Sequence, residues 1–324
     1  MKAGAIMQKS EQNVQRVAII GFGEAGSIFG AELIKQGSIV TAYDILMDAP
    51  ATQSAMQAKA RAIGVTMCAS LDQAIADAQI IISAVTAQSA TKVAQAVAEC
   101  SAKDTGASSP RFFLDINSIS PDAKRSNAAV IEPCGIHYVD AAVMAPVPPQ
   151  RLQVPILLGG QHAAEIAIAL NGLGMNTKAV SHSIGYASAI KMCRSIMIKG
   201  LEALTVESML TARYYGVEDA VLASLHASFP QMGWDKDLPD YLISRVAEHG
   251  RRRAAEVREV AVTVSDAGIA PLMSSAIAEK QDELIDMIEA KQCGYADFLV
   301  ATNDVPTAKK FSWRAMSDKL RPKI

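Results

Sequence analysis

The sequence is poor in aromatic residues, at 5% Phe, Trp and Tyr, and it has no surplus of either charge. Lys and Arg number 31 against 33 Asp and Glu, for a formal net charge of −2. Scarce aromatics argue against a base-stacking surface. Charge balance argues against a nucleic-acid partner, because neutralising phosphates and releasing their counterions takes a basic surplus. Cysteine is sparse and unpatterned: the five (Cys68, Cys100, Cys134, Cys193, Cys293) are odd in number and never spaced C-x-x-C, so no disulfide framework is expected. The five histidines show neither H-x-x-x-H nor H-E-x-x-H spacing, and no metal site is readable. No uncharged apolar run approaches the ~18 residues of a membrane span. The opening MKAGAIMQKSEQNVQ lacks the apolar stretch of a signal peptide. Residues 1–13 therefore read as a disordered polar tail, and a reducing cytoplasm is the expected compartment.

What the chain does have is length and apolar residues. Its 324 residues exceed one ordinary domain of ~100–200 and point to about two. Half of them are hydrophobic, mostly Ala, Ile, Leu, Val and Met, the mix that fills helices and buried strands. From Val14 a short apolar run ends in G-F-G-E-A-G (Gly21 to Gly26), followed by a helical pattern to Gln36 that Gly37 stops. Further short apolar runs at 38–43, 65–68, 78–85, 112–116 and 138–143 alternate with helical segments. That alternation predicts right-handed βαβ units and a doubly wound parallel sheet covered on both faces.

The second half reads differently. A nearly unbroken apolar helix is expected from Ile184 to Leu210, with more helices at 217–228, 240–267 and 271–289 and no convincing strand between them. The predicted fold is thus α/β: a Rossmann domain over 14–183 and an all-α domain over 184–324, joined by the long helix. Helices this apolar suggest a homodimer or higher homo-oligomer.

Three glycines alone are weak evidence, but here they sit between a strand and a helix inside a βαβ unit. Asp44 ends the next strand, close to the ~20 residues downstream that the dinucleotide fingerprint expects. Gly21 permits the tight turn, Gly23 a close backbone approach to a pyrophosphate, and Gly26 close helix–strand packing. Phe22, Glu24 and Ala25 complete the loop, whose helix N-terminus offers free N–H groups and partial positive charge. Asp44 would accept from both ribose hydroxyls and repel a 2′-phosphate. No Arg follows it among Ile45, Leu46 and Met47. NAD is expected over NADP. Val85, Thr86 and Asn117, at the ends of later strands, are further expected cofactor contacts.

On the long helix Lys191, Ser195, Lys199 and Glu202 recur at i, i+4, i+8 and i+11, one polar stripe on an apolar helix. A narrow solvated face is one reading, with Lys199 and Glu202 as a surface pair. The other places the start of the stripe against the cofactor domain, since a lysine among such residues is costly unless used.

Taken together, four ordered motifs make the chain similar to the β-hydroxyacid dehydrogenase family, which includes 3-hydroxyisobutyrate and 6-phosphogluconate dehydrogenases. They are V-A-I-I-G-F-G-E-A-G with Asp44, L-D-I-N-S-I-S-P (114–121), D-A-A-V-M-A-P (140–146) and G-Y-A-S-A-I-K (185–191). The resemblance covers most of the chain and implies a hydride transfer between nicotinamide and the β-hydroxyl of a small 3-hydroxy acid or 3-hydroxy amino acid. It implies Lys191 as general acid/base, with Asn117 and Ser118 holding the reacting hydroxyl or carboxylate. A free lysine at pKa ~10.4 is a poor base at neutral pH, so burial and the neighbouring Arg194 would have to lower it.

The departures matter as much. Where the family has Ser-Gly-Gly to hold the substrate carboxylate, this chain has Met144, Ala145 and Pro146, and Pro146 has no N–H. The family's Asn four residues after the lysine is Ser195 here, and Arg194 precedes it. The Glu that phosphogluconate enzymes place seven residues after the lysine is Ile198 here, which argues against decarboxylation. In H-G-R-R-R (249–253), Arg252 or Arg253 would take over carboxylate binding, with His249 nearby; a solvated helix face is the alternative. Trp234 reads as core or as the wall of an apolar pocket. Two rival functions remain, an imine or ketone reductase, which Lys191 disfavours, and a non-catalytic nucleotide sensor.

Overall fold

The computed structural model describes residues 14–101, 111–301 and 309–320. The tail read at 1–13 lies outside the described residues. Two compact units divide at Lys191/Met192, inside the long helix and past the boundary near Ser183 read from the sequence.

In the first unit strands and helices alternate: β1 (Arg16–Ile20), α1 (Glu24–Lys35), β2 (Ile39–Tyr43), α2 (Pro50–Arg61), β3 (Thr66–Met67), α3 (Leu71–Ile75), β4 (Ile80–Ser83) and α4 (Ala87–Ser101). There follow β5 (Arg111–Asp115), α5 (Pro121–Ile131), β6 (Ile136–Val143), α6 (Val147–Gln150), β7 (Pro155–Gly159), α7 (Ala163–Gly172), β8 (Asn176–Ser181) and the start of α8 (Tyr186–Tyr215). The eight strands form one sheet in the order β3-β2-β1-β4-β5-β6-β7-β8. Every pairing is parallel except β6 with β7, which is antiparallel. The sequence pattern shows neither β7 nor β8, because Pro155 and the polar Asn176–Ser181 hide the apolar signal of a buried strand.

Strand period explains why the central runs are continuously apolar. Val17, Ile19, Ile80, Ile82 and Leu114 point into one core, and Ala18, Ile20, Ile81 and Phe113 into the other. Both faces of the sheet are covered, so neither alternate position can be polar. Strand order reverses between β1 and β4, the switch point at which open α/β sheets form a crevice beyond the strands' carboxyl ends.

The second unit holds the remainder of α8, α9 (Glu218–Ser228), α10 (Leu238–Asp266), α11 (Leu272–Ala290), β9 (Leu299–Ala301), β10 (Lys309–Phe311) and α12 (Trp313–Leu320). It is helical as expected, apart from the three-residue antiparallel pairing of β9 with β10, too short to show a strand pattern in sequence. Its core joins Val206, Met209, Ile243, Val246, Leu284, Phe298, Trp313 and Met316. α10 bends at His249, whose backbone leaves helical values. No helix among the described residues is long and apolar enough to cross a membrane.

The surface pair read at Lys199 and Glu202 is not one. Lys199 is 6% exposed and bonds Glu256 at 2.7 Å, while Glu202 is 2% exposed and takes the guanidinium of Arg253. Their partners lie on α10, far along the chain, so the helix periodicity could not reveal them. Burial lowers the Lys199 pKa against the opposing pull of Glu256, and raises that of Glu202 against Arg253. Arg253 is thereby committed to Glu202 rather than offered to a substrate carboxylate. Trp234 is buried, as the core reading had it.

Candidate functional site

At the carboxyl end of β1, Gly21 adopts φ +92°, a conformation that L side chains rarely take. Its N–H donates to the carbonyl of Tyr43 at 2.9 Å, tying the loop to the end of β2. A Cβ on Gly21 would lie 2.5 Å from the Ala84 carbonyl oxygen, so the loops after β1 and β4 touch at the switch point. On Gly26 a Cβ would meet the Gly21 carbonyl oxygen at 2.0 Å, which fixes glycine where α1 crosses the loop. Gly23 differs. It is exposed, and nothing lies within 4 Å of where its Cβ would be. As N-cap of α1, Gly23 offers no side-chain hydrogen bond to the first turn, so no cap competes for the amides there.

Asp44, half-buried at the end of β2, accepts from the Phe22 N–H at 2.7 Å and the Leu46 N–H at 3.0 Å. Each carboxylate oxygen retains acceptor capacity for a hydroxyl. Phe22 itself is a core residue, fully buried, so the bond from its N–H to Asp44 ties that carboxylate to the loop. Glu24 is exposed and Ala25 half-buried in the first turn of α1. This glycine cradle, uncapped helix end and carboxylate fit a dinucleotide's diphosphate and ribose. Sequence patterns missed Lys59. From α2 its ammonium donates to the carbonyls of Phe22 at 2.7 Å and Gly23 at 3.1 Å, placing a cation on the loop. No motif marks it.

Beyond β4 and β5 the next part of the site is assembled. The Val85 N–H donates to Asn117 Oδ1 at 2.7 Å, and the Thr86 hydroxyl donates to Ser89 Oγ at 3.1 Å. Asn117 is 4% exposed, and its Nδ2 donates to Ser83 Oγ at 2.9 Å and Asp115 Oδ1 at 2.8 Å. Both of its N–H groups are engaged within the fold and its carbonyl, which accepts the Val85 N–H, keeps a second lone pair; these bonds join the turns after β4 and β5. Ser118, one residue on, stays half-buried and accepts the Lys191 ammonium at 2.7 Å. Lys191 is also half-buried, in the second turn of α8. A run of contacts therefore links the glycine loop, the Val85 turn, Asn117, Ser118 and Lys191 along one end of the sheet.

The loop after β6 carries Met144, Ala145 and Pro146. The Met144 N–H donates to the Pro155 carbonyl at 2.9 Å, an extension of the β6/β7 pairing, so it is not available to a substrate. Pro146 is exposed and has no N–H, while Ala145 is half-buried against the first core. Arg194, Ser195, His249 and Arg252 belong to the second unit. There Arg194 and Arg252 are exposed, Ser195 and His249 half-buried, and His249 lies 3.4 Å from Glu248. Among the described residues no group of three or more His, Cys, Asp or Glu could hold a metal ion.

The chain is similar to several known proteins. A family model described as the NAD binding domain of 6-phosphogluconate dehydrogenase matches residues 16–171, and a domain of unknown function, DUF1932, matches 212–284. A conserved hypothetical protein from Sinorhizobium meliloti 1021 is 33% identical at TM-score 0.72, with 95% of this chain and 96% of that one covered. A second conserved protein of unknown function, described as structurally similar to 3-hydroxyacid dehydrogenases, is 31% identical at TM-score 0.66, covering 84% and 97%. The Mycobacterium tuberculosis 3-hydroxyisobutyrate dehydrogenase shares the fold, at 17% identity and TM-score 0.68 over 84% of this chain and 94% of that one.

Proposed function

The chain belongs to the β-hydroxyacid dehydrogenase family, and from that premise we propose that it is an NAD-dependent dehydrogenase of a small 3-hydroxy acid or 3-hydroxy amino acid, with Lys191 as its general acid/base. The observation that carries this reading is the 2.7 Å hydrogen bond from Lys191 to Ser118, at the same end of the sheet as the nucleotide loop. A nicotinamide dinucleotide, when bound, supplies the hydride acceptor or donor. The chain's own residues do the rest. The N-terminus of α1 holds the diphosphate and Asp44 the ribose hydroxyls. In oxidation Lys191 takes the hydroxyl proton, and in reduction it returns that proton to the forming alcohol; Ser118 orients the amine.

A substrate panel with both cofactors, followed at 340 nm, tests the whole reading. Turnover of at least one 3-hydroxy acid is expected, with NAD favoured at least tenfold over NADP because the Asp44 carboxylate repels a 2′-phosphate. A tenfold preference for NADP would remove that role from Asp44 and give Lys59 the stronger one. Binding without turnover of any alcohol, ketone or imine would favour the nucleotide sensor.

A homodimer completes the reading. On α8 Met197, Leu204 and Tyr215 fall on one stripe and are 74%, 59% and 70% exposed. Large apolar side chains left exposed along one helix stripe are the reason for placing an interface there. Light scattering is expected to give twice the chain's 34.3 kDa, and Leu204→Glu to return the chain to monomer. A monomeric wild type would refute the dimer.

A further inference from the structure

The two groups that meet at the Lys191–Ser118 hydrogen bond arrive on separate segments, and each segment is anchored on a buried aspartate. Asp115 ends β5 and accepts the Asn117 N–H at 3.0 Å and its Nδ2 at 2.8 Å, which fixes the backbone leading into Ser118. Its other oxygen accepts the Tyr138 hydroxyl at 2.6 Å and Asn127 Nδ2 at 3.3 Å. Asp140, on β6, accepts the Ser188 N–H at 3.0 Å and the Ser188 hydroxyl at 2.5 Å. It thereby caps the first turn of α8 from outside the helix, one turn before Lys191. Asp115 and Asp140 are paired in register on adjacent strands.

Between them lies Lys124, from α5. All three side chains are 0% exposed. The ammonium donates to the Asp115 carbonyl at 2.6 Å, and lies 2.9 Å from Asp115 Oδ1 and 3.7 Å from Asp140 Oδ1. Packing alone does not ask for such a group. A buried ion cluster is often no more stabilising than apolar residues of the same volume, whereas removing one member leaves an uncompensated buried charge. What the cluster adds is a fixed spacing between two anchors, one holding the Ser118 segment and the other the start of α8.

We propose that Lys124 is a positioning residue for the acid/base pair: by bridging Asp115 and Asp140 it sets Lys191 against Ser118. This rests on the reading of Lys191 given above. Misplacing a reacting group by ~1 Å costs about a hundredfold in rate, so the bridge matters even though Lys124 touches no reacting atom.

The test uses the full chain with Lys124→Met, which keeps the length of the side chain and removes its charge. Lysines are reductively methylated with 13C, and the Lys191 signal is assigned by its loss in Lys191→Arg. In the wild type that signal is expected away from those of exposed lysines. In Lys124→Met it should move to their narrow, common position, while NADH binding followed by fluorescence stays within twofold. With a substrate from the panel, kcat should fall about tenfold to a hundredfold and KM change less than threefold. An unmoved Lys191 signal overturns the proposal, as does a loss of NADH affinity in step with kcat, which would mean general damage. Should Lys124→Met not fold, Ser188→Ala cuts the hydroxyl tie to Asp140 with little loss of volume. It should shift the Lys191 signal in the same direction, and no shift there overturns the proposal equally. Failure of the parent reading is separate: Lys191→Ala would keep its turnover, whatever the methyl signal does.

Discussion

Lys191→Ala is expected to lower turnover by about 10²- to 10⁴-fold, the range that a positioned general acid/base supplies. Nucleotide binding should survive nearly unchanged. The Gly21 N–H is held by the Tyr43 carbonyl and the Asp44 carboxylate by the Phe22 and Leu46 amides, and the Lys191 ammonium donates to Ser118 instead. NADH affinity and turnover must therefore separate in this variant. A small exogenous amine such as ethylamine, free to enter the space of the side chain, should restore part of the rate in Lys191→Ala. Ser118→Ala removes only the group that orients the amine and should cost less. Full turnover by Lys191→Ala on the substrate that the wild type uses would end the acid/base assignment.

The second large effect belongs to Gly26→Ala. A methyl there would sit 2.0 Å from the Gly21 carbonyl oxygen and 3.1 Å from Ile19 Cγ2. The first contact is with backbone, in a loop already committed to φ +92° at Gly21 and to the Tyr43 carbonyl, so it cannot yield as a flexible side chain would. α1 must move away from β1. Overpacking of this kind costs about 3 kcal/mol, read as a lower urea midpoint. The same displacement moves the helix N-terminus that the diphosphate needs, and ~3 kcal/mol lost there is about a hundredfold in affinity. Gly23→Ala provides the contrast. Its Cβ meets no protein atom within 4 Å, so stability should hold while nucleotide affinity falls. Equal nucleotide affinity in wild type and Gly26→Ala would show that the loop does not bind as described.

Much of this was legible in the sequence because the relevant signals are local. The apolar runs at β1, β4 and β5 announce strands covered on both faces. Gly21 to Asp44 is one βαβ unit whose turn, helix start and acidic residue all lie within a short span. The long helix, with Lys191 near its start, follows from periodicity and from the G-Y-A-S-A-I-K motif. Other residues have surroundings that depend on neighbours distant in the chain. Asn117 stands in a motif that implies a ligand contact, and only the fold shows its amide bonded to Ser83, Asp115 and Val85 as well. The partner of the Met144 N–H appears only when β7 pairs antiparallel with β6 and the Pro155 carbonyl accepts it. Lys199 and Glu202 look like one solvated pair on a helix, and each is instead buried against a residue of α10.

Lys124 shows the division most sharply. In P-D-A-K-R-S-N it resembles any exposed helix lysine, and no spacing marks it. It becomes a buried cation only because β5 and β6 are adjacent in a register that sets Asp115 beside Asp140, directly under α5. By itself the sequence determined the near balance of charge, the dinucleotide loop, the strand–helix alternation and the helical second half, since composition, turn chemistry and periodicity act over a few residues. The tertiary structure decided which polar groups face a ligand and which are consumed in holding the others in place. That choice depends on desolvation and on partners brought together from 32 to 73 residues away, as Asn117 with Val85 and Ser118 with Lys191 are, and no local pattern encodes it.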